Sequence, residues 1–263
     1  MAIMRRLFDF ILAGVIGSLS VAAWAQIDSD APSVVGLAGE QRMLSQRIAK
    51  LYSQIGLNIM PSQAASQLRL ATDRFETNLV ALKPVAAKSV EAGRAYERLG
   101  AQWLGLKKAT GMAVSREAAL SLSGQADATL AAAENFTRVI EDERMAGVSR
   151  QVNLAGRQRM LSQRIANNYL LLSWGVVSAA VREQLESSVS DFSAGLSKLS
   201  ARKDNSDEIK RELEEVAQQW EWLQASLSVE GAGTYPLIVA ESADAILEAT
   251  DRVTRLYEQQ GRP

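Results

Sequence analysis

Arg42 and Arg159 carry the clearest capacity for chemistry in the chain, because each holds the same place in a thirteen-residue segment that occurs twice. Leu37-Ala38-Gly39-Glu40-Gln41-Arg42-Met43-Leu44-Ser45-Gln46-Arg47-Ile48-Ala49 returns as Leu154-Ala155-Gly156-Arg157-Gln158-Arg159-Met160-Leu161-Ser162-Gln163-Arg164-Ile165-Ala166, identical at twelve of thirteen positions at an offset of 117. A guanidinium is planar and presents a fork of N–H donors that matches a planar oxyanion. Two of them, opposed, could clamp a planar trigonal oxyanion such as nitrate, each relieving the other's repulsion through the shared anion. Nitrate has so few atoms that a ceiling of about 1.5 kcal/mol per atom limits the affinity to a dissociation constant on the order of tens of micromolar. Ser45, Gln46, Ser162 and Gln163 offer further hydrogen bonds, and suit ordinary interhelical contacts equally well. Spacing alone leaves Arg42 and Arg159 open to a second use, as salt-bridge partners of Glu or Asp on neighbouring helices.

The rest of the composition narrows the choices. Among 263 residues there are 29 Lys or Arg and 30 Asp or Glu, with no His and no Cys. Imidazole and thiolate chemistry is therefore absent, and with it the usual nucleophile triads, zinc fingers, Cys-ligated clusters and disulfides. We expect no enzyme, no cofactor and no metal. A formal charge of -1 argues against nucleic acid as a partner, since such proteins carry a basic excess.

Residues 1–25 read as an export signal. Arg5 and Arg6 precede a mostly apolar stretch from Leu7 to Val21, and Ala23-Trp24-Ala25 supplies the small-x-small pattern for cleavage before Gln26. A retained membrane anchor is the alternative, although Asp9 interrupts the apolar run. The expectation is a periplasmic protein with a cleaved signal peptide, whose mature charge becomes -2 once Arg5, Arg6 and Asp9 are removed.

The repeat extends well beyond the motif. The same offset pairs Phe75 with Phe192, Leu79 with Leu196, Gln102-Trp103 with Gln219-Trp220, and Ala126-Asp127-Ala128 with Ala243-Asp244-Ala245. One unit is thus used twice, over 26–146 and 147–263. Breaks at Pro61, Pro84 and Gly111-Met112, and at Gly175, Lys203 to Ser206 and Gly231 to Gly233, divide each unit into four segments with apolar residues at three and four spacing. Alternating β-branched runs are missing. The fold class is all-α: two tandem antiparallel four-helix bundles.

On the first helix of each unit, Leu37, Gln41, Leu44, Ile48 and Leu51 fall on one stripe, the expected bundle core. Gly39, Arg42, Met43 and Gln46 fall on a second. A glycine inside a helix costs roughly 1 kcal/mol relative to Ala, and Gly39 and Gly156 both bear that cost, so a second helix is expected to approach there. Arg47 projects about 140° away from Arg42 and must serve a different partner.

Leu-Ala-Gly-x-Gln-Arg-Met-Leu-Ser-Gln-Arg resembles the signature of the type IV pili methyl-accepting chemotaxis transducer N-terminal domain, the PilJ-type domain. It is also similar to the P-box of the nitrate/nitrite sensor kinases. The resemblance implies four-helix periplasmic sensor bundles that pair through their first helices and hold nitrate or nitrite between two arginines. By position those arginines are Arg42 and Arg159, with Ala38-Gly39 and Ala155-Gly156 as the preceding small pair. Glu40 and Arg157 depart from the small polar residue that the P-box carries after its glycine.

The tandem arrangement suggests an internal pseudo-dimer, a monomer in which Gly39 faces Gly156 and Arg42 faces Arg159. One unbroken helix from Ser115 into Leu161 is the competing geometry, and it would hold the two motifs about a bundle length apart. The signal would pass to an unidentified envelope partner. The alternative function is a structural or interaction protein of the envelope that has lost its ligand. Trp103 and Trp220 are expected in the core, and Glu141 to Arg144 on a solvated face.

Overall fold

The computed structural model describes residues 31–144, 147–228 and 235–260. The signal peptide expected over 1–25 lies outside the described residues, as does the break at Gly231 to Gly233. Among the described residues eight helices follow one another: α1 (Ala31–Gly56), α2 (Pro61–Ala86), α3 (Val90–Thr110), α4 (Arg116–Arg144), α5 (Gly147–Ser173), α6 (Ala179–Ser200), α7 (Asp207–Ser228) and α8 (Pro236–Gln260). No strand occurs among the described residues.

Local sequence explains most of the boundaries. Pro61 opens α2 in its first turn, where a missing N–H costs nothing. The Ser89 hydroxyl caps α3 by accepting from the Ala92 amide at 2.9 Å, and its repeat counterpart Ser206 caps α7 from Ile209 at 3.2 Å. Gly175, with φ of +83°, ends the turn after α5. Pro84 differs from expectation: it sits inside the last turn of α2, which runs on to Ala86. So close to the end of a helix, a proline forfeits a single backbone bond and does not stop the chain.

Each unit is a closed four-helix ring, α1 to α4 and α5 to α8, in which neighbours in sequence pack against one another and the last helix returns to the first. Phe75 stacks on Trp103 with centroids 4.0 Å apart, and Phe192 meets Trp220 at 4.2 Å, so both tryptophans belong to the core as expected.

The most extensive helix contact in the molecule is between the two motif helices, α1 and α5. They lie parallel: Gly36 is beside Val152, Arg47 donates to Gln163, Ser53 donates to Asn167, and Gly56 lies under the Trp174 ring. α4 and α5 run antiparallel, since Glu141 meets Asn153, Glu134 meets Arg157 and Asp127 meets Arg164. The unbroken rod is therefore excluded and the two units lie side by side. α1 is consequently enclosed by α2, α4 and α5, and almost every residue from Val34 to Gln54 is buried, polar ones included.

Candidate anion site between the repeats

Arg42 is fully buried and Arg159 is 5% exposed. The Arg42 Nη1 donates to Glu134 Oε2 at 2.7 Å, and the Arg159 Nη1 donates to Asp251 Oδ1 at 2.7 Å. The interval from arginine to carboxylate is 92 residues in both units, so the ion pair is itself repeated. The other arm of each fork crosses to the opposite unit and meets only a backbone carbonyl at long range. Arg42 Nη2 donates to the Asn153 carbonyl at 3.3 Å, and Arg159 Nη2 to the Gly36 carbonyl at 3.5 Å.

These two outer nitrogens converge. A side chain begun at Gly156 would stand 3.3 Å from Arg42 Nη2 and 3.4 Å from Arg159 Nη2. At Gly39 the intruder is not a second helix but the arginine of the same helix: a Cβ there would lie 2.8 Å from Arg42 Nη2. Glycine is needed so that the guanidinium can fold back along its own helix, with Nε turned to the Gly39 carbonyl at 3.5 Å. In the second copy Arg159 Nε is buried without a hydrogen-bond partner.

Burial pulls the Arg42 guanidinium below its ordinary pKa, Glu134 works against that loss, and the neighbouring cations Arg159 and Arg157 deepen it. It remains charged, since an arginine does not deprotonate in a protein. Glu141 is raised, chiefly by burial, despite the Asn153 amide that donates to it and the nearby Arg42. It is half-buried between α4 and α5, whereas Asp142 and Glu143 beside it lie on the solvated face expected for the whole run. A cavity of about 240 Å³ opens next to Arg159, lined also by Gly36, Glu40, Arg74, Asp251 and Arg255.

The remaining site candidates sit elsewhere. Ser45 donates to the Arg42 carbonyl at 2.8 Å and Ser162 to the Arg159 carbonyl at 2.9 Å, so both hydroxyls serve their own helix. Gln46 donates to Asp127, while Gln163 donates to the Ala243 carbonyl and accepts from Arg47. These belong to a second layer, in which Arg47 reaches Asp244 of the other unit at 2.6 Å and Arg164 reaches Asp127 at 3.4 Å. Arg47 thus has its own partner, as its angular distance from Arg42 required. Glu134, Asp251, Asp127 and Asp244 were not singled out as functional from sequence. For the two aspartates the repeated Ala-Asp-Ala triplets were the available signal.

Compared with known families, the chain matches the family model described as type IV pili methyl-accepting chemotaxis transducer N-term, twice, over residues 23–136 and 143–259. Neither curated proteins nor solved structures yield a match.

Proposed function

The chain belongs to the family of type IV pili methyl-accepting chemotaxis transducer N-terminal domains, carried here in tandem, and from that premise we propose that it is a periplasmic sensory module for a small planar oxyanion, nitrate or nitrite. The observation that carries this reading is the convergence of Arg42 Nη2 and Arg159 Nη2 on one point beside Gly156. Each arginine keeps one arm on its carboxylate, which fixes the plane of the fork, and turns the other arm inward. The inward arms hold only long bonds to carbonyls, and an anion between them would exchange those for short charge-assisted bonds. It would also offset the repulsion between two buried cations. In this reading the anion enters from the cavity beside Arg159.

Because one chain supplies both arginines, a monomer suffices for the site. No described helix is long and apolar enough to cross a membrane. In this reading the bound state is passed to a partner in the envelope signalling system, as membership of the transducer family implies. A second reading has its own support: each arginine already meets a carboxylate at 2.7 Å, as a purely structural ion pair would. In that case the protein is an envelope interaction module without a ligand.

Titration calorimetry of the mature protein with nitrate, nitrite, chloride and sulfate separates the two. Saturable binding of nitrate or nitrite, with a dissociation constant of tens of micromolar or weaker, that is lost in Arg42→Ala and in Arg159→Ala supports the sensor. Absence of heat with every anion, from a folded monomer in sedimentation, supports the structural reading.

A further inference from the structure

A second cavity, of about 310 Å³, lies between α1, α2 and α8 and is lined by Arg47, Gln54, Met60, Asp244, Glu241 and Glu248, among others. It is distinct from the arginine pair: neither Arg42 nor Arg159 lines it, and Gln54 lies twelve residues along α1 from Arg42, about 18 Å at the helical rise. Part of its lining is structural and is repeated. Arg47, Asp244 and Gln67 have the counterparts Arg164, Asp127 and Gln184, and in both places the arginine meets the aspartate of the other unit. The rest is not repeated. At the positions equivalent to Gln54, Glu241 and Glu248 the other unit has Leu171, Gly124 and Ala131. The pseudo-symmetric fold is therefore built without these three polar groups in one half, and their presence in the other half needs a different reason.

Their state points to an absent hydrogen-bond donor. Gln54 is 7% exposed, and its Oε1 is buried with no hydrogen-bond partner. Glu241 and Glu248 form no ion pair among the described residues, whereas Asp244 between them on α8 is neutralised by Arg47 and Lys50 at 2.6 Å each. Met60 adds an apolar rim to the cavity and is held in a left-handed conformation, φ 45°, which its counterpart Val177 does not share. Strained backbone of this kind collects at ligand sites.

We propose that this cavity binds an aliphatic ammonium compound, its charged end hydrogen-bonded to Glu241, Glu248 and the Gln54 Oε1 and its hydrocarbon portion against Met60. An ammonium carries three donors and no acceptor, the complement of this acceptor set. An anion is disfavoured by the two unpaired carboxylates, Glu241 and Glu248, and a cation without N–H donors leaves Gln54 unanswered.

The probes are 1,4-diaminobutane and n-butylamine, with tetramethylammonium as the donor-free cation, titrated into the mature protein by calorimetry. Saturable binding of an amine is expected, at least roughly tenfold weaker in Glu241→Gln with Glu248→Gln, a pair of exposed, isosteric changes that leave the fold intact. Gln54→Leu, copying the other unit, is expected to weaken it as well, and Arg42→Ala to leave it unchanged while removing anion binding. Three results would each overturn the proposal: no saturable amine binding at millimolar concentration, equal binding of tetramethylammonium, or undiminished binding in the double glutamine variant.

Discussion

Arg74 on α2 meets Glu40 on α1 at 3.1 Å, and 117 residues further on the same bond is made with its charges exchanged, Arg157 on α5 meeting Asp191 on α6 at 3.2 Å. The one position at which the two motif copies differ is thus compensated on the neighbouring helix. Glu40 also accepts from Asn78 at 2.8 Å, while Arg157 reaches Glu134 as well, at 3.4 Å. Arg157 is therefore one of the extra cations around Arg42, which the first unit does not reproduce around Arg159.

The exchange predicts a pattern of stability changes. Arg74→Asp, which copies the second unit, places a carboxylate against Glu40 and should cost roughly 1 kcal/mol, as expected for a partly exposed pair. Adding Glu40→Arg should recover most of that loss. A double variant less stable than Arg74→Asp alone, in urea denaturation, would show that the pair does not act as a unit.

A second prediction concerns the arginine forks. Arg42→Lys and Arg159→Lys keep the charge but lose the two-armed geometry, so nitrate affinity should fall at least tenfold while the helical circular dichroism is retained. Gly156→Ala should do the same by different means, because its methyl group would lie 3.3 and 3.4 Å from the two inward nitrogens and occupy the space between them. Affinity preserved in the lysine variants would mean that diffuse charge, not the fork, holds the anion.

The repeat and the helices were legible because they rest on periodicity and on identical residues, whereas the sequence left side-by-side units and one unbroken rod both open. The glycine at position 39 announced a close approach for the same reason, although what approaches is Arg42 itself. Less visible was the enclosure of α1 on all sides. A helical wheel puts Lys50 and Ser53 at the surface by residue type, yet both are buried, because helices of the other unit cover the face that a lone bundle would leave wet. Glu134 and Asp251 escaped notice because they differ in type between the repeats, and only the constant 92-residue interval to the arginines links them.

A third prediction follows from an imperfection in the repeat. Gln41 donates to the Phe75 carbonyl at 3.0 Å and faces Asn78, whereas its counterpart Gln158 is fully buried with neither side-chain atom bonded. The residue equivalent to Asn78 is Gly195, and Gln158 Nε2 occupies the place of its missing Cβ, 2.0 Å away. Gly195→Asn should push the amide towards the Phe192 carbonyl and supply the missing partner. Unsatisfied buried groups cost about 1–3 kcal/mol, and asparagine also favours helix over glycine. The melting temperature should therefore rise by several degrees, and a fall would mean that the second unit cannot adopt the arrangement of the first.

The last prediction is a pH dependence that originates at Lys50. Its ammonium is fully buried, donates to the Ala240 carbonyl at 3.1 Å and shares Asp244 Oδ1 with Arg47 at 2.6 Å each. Burial drives its pKa down from 10.5 to about 8, Asp244 resists the change, and Arg47 adds to it. Asp244 is held low: burial would raise it, but Lys50 and Arg47 together prevail. The unfolded chain keeps the lysine proton up to the ordinary lysine value, while the folded chain releases it near 8, so the unfolded state binds more protons in between. Stability must then rise with pH across that window, because the cost of burying the charge is complete below about 8 and gone above 10.5. At 1.36 kcal/mol per pKa unit the gain is at most about 3 kcal/mol. Tyr257, raised to about 12 chiefly by burial, works in the opposite direction above its ordinary value of 10, as the folded state then retains a proton that the unfolded state has lost. Lys50→Met isolates the lysine contribution, because it leaves Tyr257 and the Arg47–Asp244 pair in place. The unfolding free energy of the natural protein minus that of the variant should climb between pH 8 and 10, and a flat difference would mean that Lys50 stays charged in the folded protein throughout.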